Sequence, residues 1–158
     1  MMMKKRMFVL VLAFVFALSM VSLTLAQEKP KAPAAPAWQS TPVKDWVAKA
    51  KADIKKVTPA DVKAAIDSKE KAVILDVRDP EEYKAGHLPG AINVSRGKLE
   101  FTVWDKVSDK DAKIYVYCLT AARSALATKT MNDMGYKNAV LMDAPFEAWV
   151  KAGYPVER

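Results

Sequence analysis

Residues 113–124 read KIYVYCLTAARS. The first five are a short apolar run of β-branched and aromatic residues, as expected of a strand covered on both faces. Cys118 follows at once. From Ala122 an alanine-rich stretch reads as a helix to Met134, with Gly135 as its C′ residue. Strand, tight loop and helix make half of a crossover unit, and the pattern repeats along the chain. Residues 72–77 (AVILDV) read as another buried strand, and residues 91–94 and 139–141 as shorter ones. Thr58-Pro59-Ala60-Asp61 is a helix start, with an N-cap, a proline at N1 and an acid in the first turn. That helix ends near Ser68. Residues 80–84 form a short helix stopped at Gly86, and residues 146–151 a closing helix ended by Gly153 and Pro155. Residues 95–111 read as irregular, anchored by Phe101, Val103 and Trp104. This alternation predicts an α/β fold: an open, mostly parallel sheet of about five short strands with helices on both faces. In such sheets the site lies beyond the carboxyl ends of the strands, which is where Cys118 stands.

The remaining sequence sets the boundaries. The chain has 158 residues, enough for one domain and some accessory length. Its single Cys and single His exclude a disulfide scaffold and a Cys- or His-rich metal centre. The net charge of +7 does not point to nucleic acid, because it is not in the domain. Lys4, Lys5 and Arg6 contribute three charges, and residues 27–57 a further net four. From Thr58 onward 15 basic side chains balance 15 acidic ones. Residues 7–26 are apolar except for Ser19, Ser22 and Thr24. A basic start, an apolar stretch and small residues up to Ala26 read as an export signal cut before Gln27. An uncleaved anchor is the alternative, and only then would the chain meet a membrane. In either case the domain lies across the membrane from the cytoplasm, in the periplasm of a Gram-negative source. Residues 27–41 are a Pro/Ala-rich linker. Residues 42–57 are an accessory helical segment, whose Val43, Trp46, Val47, Ala50 and Ile54 form a stripe expected to pack on the domain. Residues 58–158 are the domain itself.

Export makes Cys118 an unpaired thiol in a compartment that favours disulfides. A buried structural Cys is one reading. A reactive one is the other. A strand end, tight loop and helix N-terminus aim backbone N–H groups and a partial positive charge at one point, which favours a thiolate there. His87 lies 31 residues upstream, and nothing local orients it as a base for Cys118.

Several segments together resemble the rhodanese domain, over about residues 58–157. Ile74-Leu75-Asp76-Val77-Arg78 with Glu81-Glu82-Tyr83 looks like the family's first signature, and residues 86–94 (GHLPGAINV) like its second. Tyr115-Val116-Tyr117-Cys118 followed by Arg123-Ser124 resembles the catalytic loop. Met134-Gly135-Tyr136 and Phe146-Glu147-Ala148-Trp149 with residues 152–156 (AGYPV) resemble the C-terminal signature.

The resemblance implies a sulfurtransferase in which Cys118 carries a persulfide. Backbone N–H groups of Leu119, Thr120, Ala121, Ala122 and Arg123 would hold its terminal sulfur. The implied partners are a sulfane donor such as thiosulfate and a cyanide or thiol acceptor, or a protein sulfur acceptor. Neither a metal nor an organic cofactor is implied. A non-catalytic binding module and a persulfide carrier are the alternatives. Four residues separate Cys118 from Arg123, against five in related phosphatases, so the loop suits one sulfur atom rather than a tetrahedral oxyanion. Two positions depart from the pattern: Ala121 stands where Gly is common, and Ala144-Pro145 where Gly-Gly is. Asp76 and Arg78 support the loop or bind substrate, or form a structural ion pair, with Glu82 as the expected partner of Arg78. Arg123 is a substrate contact or a helix-start residue paired to a carboxylate. His87 reads as a structural hydrogen-bonder, and Trp149 and Trp104 as core or pocket wall.

Overall fold

The apolar runs form strands because each residue on either face finds a helix to pack against. The computed structural model describes residues 42–158. The readings of the export signal and of the linker lie outside these residues. In chain order the elements are α1 (Val43–Ala52), β1 (Lys56–Val57), α2 (Pro59–Asp67), β2 (Ala72–Asp76), α3 (Pro80–Ala85) and β3 (Ile92–Asn93). A 3₁₀ turn (Arg96–Lys98) follows, then α4 (Leu99–Lys106), β4 (Lys113–Tyr117), α5 (Ala122–Asp133), β5 (Ala139–Met142) and α6 (Phe146–Lys151).

The five strands form one sheet in the order β1-β5-β4-β2-β3, and every pairing is parallel. Side chains alternate across it with the period of two that a pleated strand imposes. Ile114, Val116 and Cys118 face a core shared with α4 and α5, together with Leu75, Val103 and Met131. Tyr115 and Tyr117 face the opposite core, with Ile74, Val62 of α2 and Trp149 of α6. Both layers are therefore covered, as the continuous apolar runs require.

The chain changes direction in the centre of the sheet. From β2 it proceeds outward to β3, and from β4 it proceeds outward the other way to β5. The carboxyl ends of β2 and β4 thus border a switch point, where the two connections diverge and leave a crevice. Asp76 ends β2 directly opposite Tyr117, which ends β4. Cys118 is the next residue.

Three local expectations are corrected. Residues 99–106 form α4 rather than irregular chain, and only Val103 of the three expected anchors is buried. Phe101 is 80% exposed, and Trp104 is exposed as well rather than core or pocket wall. The stripe of α1 is rotated from its expected position: Val47, Ala50 and Ile54 are buried, whereas Trp46 is 72% exposed. The segment 42–57 is not helical throughout: its helix ends at Ala52, and Lys56–Val57 is the fifth strand, β1, which adds to the β5 edge through Lys56–Leu141 and Val57–Met142 pairing. The helix start at Thr58 forms as expected. The Thr58 backbone N–H donates to the Asp61 carboxylate at 2.7 Å, and the Asp61 N–H donates back to Thr58 Oγ1 at 3.2 Å.

Candidate functional site

Helix α5 begins without the side-chain cap most helices have. Its N-cap is Ala121, in the left-handed region at φ 66° and ψ 2°. Alanine offers no acceptor, so the first N–H groups of α5 need partners from elsewhere. The sulfur of Cys118 supplies one. The backbone N–H and the hydroxyl of Ser124 each lie 3.3 Å from Cys118 Sγ. Ser124 occupies N3, the position whose N–H an N-cap side chain ordinarily takes. The thiol thus acts as the helix cap, at the positive end of the helix dipole, and both contacts are donors suited to a thiolate. Ser124 is fully buried, and its carbonyl accepts from Thr128 Oγ1 at 2.8 Å.

Cys118 itself is 0% exposed. Leu119, the next residue, is 45% exposed, and its carbonyl accepts from the Phe146 N–H at 3.0 Å. Thr120 is exposed, whereas Ala121 and Ala122 are buried. Of the expected binding residues, Leu119, Thr120 and Ala121 form the turn between β4 and α5, and Ala122 and Arg123 are the first two residues of α5. The donors that reach Sγ come from Ser124, just past that stretch. The sequence reading gave Ser124 no role. Its signal was available: a hydroxyl at the third helical position after an alanine that cannot cap.

Arg123 is held by carboxylates. Its guanidinium forms a two-pronged pair with Glu82, at 2.7 and 2.8 Å, and reaches Asp79 at 3.3 Å. The hydrogen bond from Arg123 holds the Glu82 carboxyl below its ordinary range. Of the two readings of Arg123, the geometry gives the helix-start residue paired to carboxylates. It fastens the first turn of α5 to α3.

The expected Arg78–Glu82 pair is replaced by Arg78–Asp76. Arg78 Nε and Nη2 donate to the Asp76 carboxylate at 2.9 and 2.6 Å, and the Arg78 backbone N–H donates to it as well, at 2.9 Å. Asp76 is fully buried and Arg78 nearly so. The guanidinium also donates to the Gly86 carbonyl at 2.7 Å and lies 4.3 Å from the Phe146 ring centroid. Arg78 is closer in sequence to Asp76, and Glu82 is already taken by Arg123. Asp76 and Arg78 thus lock the end of β2 beside the Cys118 loop. Their charges are spent on each other.

Arg78, Glu82, Ala85, Leu119, Phe146 and Val150 line a cleft of about 440 Å³ beside this loop. Its walls are largely apolar. His87 is elsewhere engaged: its ring stacks on Tyr83 at 3.9 Å, Nδ1 lies 3.1 Å from the Tyr83 carbonyl, and its backbone pairs with Glu157. These are structural contacts.

Comparison with known proteins agrees with this geometry. The Rhodanese-like domain profile matches residues 58–152. The chain is 33% identical to the Thiosulfate sulfurtransferase GlpE of Pseudoalteromonas translucida, over 53% of this chain and 78% of that protein. It is 33% identical to the Putative sulfur carrier protein YrkF of Bacillus subtilis, over 55% of this chain but only 46% of that one. Against the chloroplastic Rhodanese-like domain-containing protein 14 of Arabidopsis thaliana it is 34% identical, covering 65% of this chain and 66% of that one. Among solved structures, a polysulfide-sulfur transferase homodimer from Wolinella succinogenes is similar, with 32% identity and a TM-score of 0.64. The likeness covers 77% of this chain and 90% of that one. A Rhodopseudomonas palustris protein of unknown function, described as a possible tyrosine phosphatase, is similar with 33% identity and a TM-score of 0.66. That likeness covers 80% of this chain and all of the other. The relatives that carry a named activity are thus mostly sulfur-handling proteins, which supports sulfur transfer as the general chemistry. With its all-parallel sheet, its Cys loop at the switch point and a profile match over most of the described residues, this chain belongs to the rhodanese-like domain family.

Proposed function

We propose that this chain is an exported sulfurtransferase that moves sulfane sulfur through a persulfide on Cys118. The thiolate attacks the sulfane sulfur of a donor such as thiosulfate. The donor's S–S bond breaks, sulfite leaves with the electron pair, and Cys118 holds the transferred sulfur. A nucleophilic acceptor, cyanide or a thiol, then attacks that terminal sulfur. The Cys118–sulfur bond breaks and the thiolate is restored, which is covalent catalysis in two displacements. The carrying observation is the capping of α5 by Cys118 Sγ, with the Ser124 N–H and hydroxyl at 3.3 Å. Donors fixed where negative charge resides stabilise it without reorganisation. The short loop and the sulfur-handling relatives support transfer of sulfur over phosphate hydrolysis. Export rests on residues 1–26, whose basic start, apolar stretch and small end support it.

One experiment addresses both parts. Intact mass of the purified mature protein is expected to correspond to a chain starting near Gln27. After incubation with thiosulfate it gains the mass of one sulfur atom, and Cys118→Ser does not. A sulfur adduct on the Ser variant would remove Cys118 from the mechanism, and a full-length cytosolic chain would remove export.

A second reading is a persulfide carrier that delivers to a partner protein. The observation favouring it is the likeness to a putative sulfur carrier protein of Bacillus subtilis. Steady thiocyanate production from thiosulfate and cyanide supports the enzyme. A persulfide stable to cyanide supports the carrier.

A further inference from the structure

We propose that Lys51, on α1 and outside the stretch the family profile covers, is a positioning residue for the Cys118 loop; this rests on the sulfur-transfer reading of that loop. Helix α1 reaches the loop by two separate routes. The first is packing. Val47 of α1, with Ile54 just beyond its end, shares a core cluster with Ala122, Ala125 and Leu141, and Ala122 is the first residue of α5. The second is electrostatic. Lys51 Nζ pairs with the Asp143 carboxylate, two side chains that are each only about a third exposed.

Asp143 opens the turn between β5 and α6. Its N–H donates to the Val57 carbonyl at 3.0 Å. Two residues later, Pro145 has no N–H to contribute, so the turn has fewer backbone bonds to hold it. Phe146 comes next, and its N–H donates to the Leu119 carbonyl at 3.0 Å. Lys51 therefore grips one end of this turn, and Phe146, just past its other end, holds the residue after Cys118. The accessory segment braces both sides of the loop: the α5 start by packing, and Leu119 through the turn. A partly exposed ion pair contributes little to global stability. Its effect is on where the turn, and hence the loop, sits.

The brace also holds a fully buried sulfur covered, so loosening it has two opposite consequences. In Lys51→Met, sulfur transfer from thiosulfate to cyanide is expected to fall roughly ten-fold in kcat/KM, as misplacement by a fraction of a bond length does. Alkylation of Cys118 by iodoacetamide is expected to rise several-fold, because the loop opens more often. That rise should not depend on low urea concentrations, which identifies local rather than global opening. Lys51→Arg keeps the charge and should restore both rates. Asp143→Asn should reproduce Lys51→Met, and the double variant should be no worse than either alone. The proposal is overturned by an alkylation rate that is unchanged or slower, by a urea-dependent rise, or by failure of arginine to restore the rates. The alkylation arm involves no sulfur transfer. If the transfer reading fails while alkylation behaves as stated, the positioning role stands by itself.

Discussion

At the residue scale, the site is organised by what Ala121 cannot do. It sits at φ 66°, a region in which an L side chain is strained. It also carries no acceptor for the α5 N-terminus. The first fact costs stability, and the second leaves the Ser124 N–H free for sulfur. Replacing Ala121 with Gly separates the two, because Gly relieves the backbone but adds no acceptor. Ala121→Gly is expected to raise stability by about 1 kcal/mol, measured by urea unfolding, with the Ser124–Cys118 contacts retained. Activity should therefore stay close to that of the parent. A loss of stability would mean that the loop does not hold this conformation in solution. Ala121 is recognisable in the sequence as a departure, since it stands where the resemblance implies Gly. Ser124 is legible only in part: its place three residues after an alanine that cannot cap is in the sequence, but its partner emerges only when the end of β4 is placed beside it.

At the element scale, α3 and α5 are joined by Arg123 and Glu82. The Arg123 hydrogen bond holds the Glu82 carboxyl below its ordinary value of 4.5. A carboxylate whose pKa is depressed on folding contributes stability above that ordinary value, and the contribution disappears as pH falls through the folded-state pKa. Glu82→Gln is therefore expected to destabilise the protein by about 1 kcal/mol at pH 7, near the upper end for a partly exposed pair. The gap between parent and variant should narrow once pH drops below 4.5, as read from chemical unfolding at several pH values. A gap that stays constant with pH would show that the pair is not what Glu82 contributes. This pairing also marks the limit of the sequence. Both Arg78 and Arg123 fall within reach of Glu82, and only the packing of α3 against α5 decides between them. The strands β2 and β4 were legible because burial on both faces leaves a continuous apolar run. Helix α4 was not, because exposed Phe101 and Trp104 blur its one-sided pattern. Strand β1 is two residues long, too short for any periodicity, and it is a strand only because β5 lies beside it.

At the scale of the whole molecule, these same facts set where the folding unit begins. The family profile starts at residue 58, but the sheet does not. Strand β1 covers one edge of β5, with the Leu141 N–H donating to the Lys55 carbonyl at 2.9 Å and Asp143 to Val57 at 3.0 Å. Without β1 those N–H groups lose their partners at an open apolar strand edge, which is a template for association between chains. Without α1 and the residues that follow it, Ala122, Ala125 and Leu141 lose the cover of Val47 and Ile54. The truncation series follows from this. A chain of residues 42–158 is expected to unfold cooperatively and to run as a discrete species in size-exclusion chromatography. A chain of residues 58–158, the stretch a family alignment alone would select, should lose several degrees of Tm or more and form large aggregates. The loss comes from burial and pairing, so it should persist in Cys118→Ser and in added salt. Equal thermal midpoints for the two chains would show that residues 42–57 merely adjoin the domain, and would also weaken the case for Lys51 as its brace.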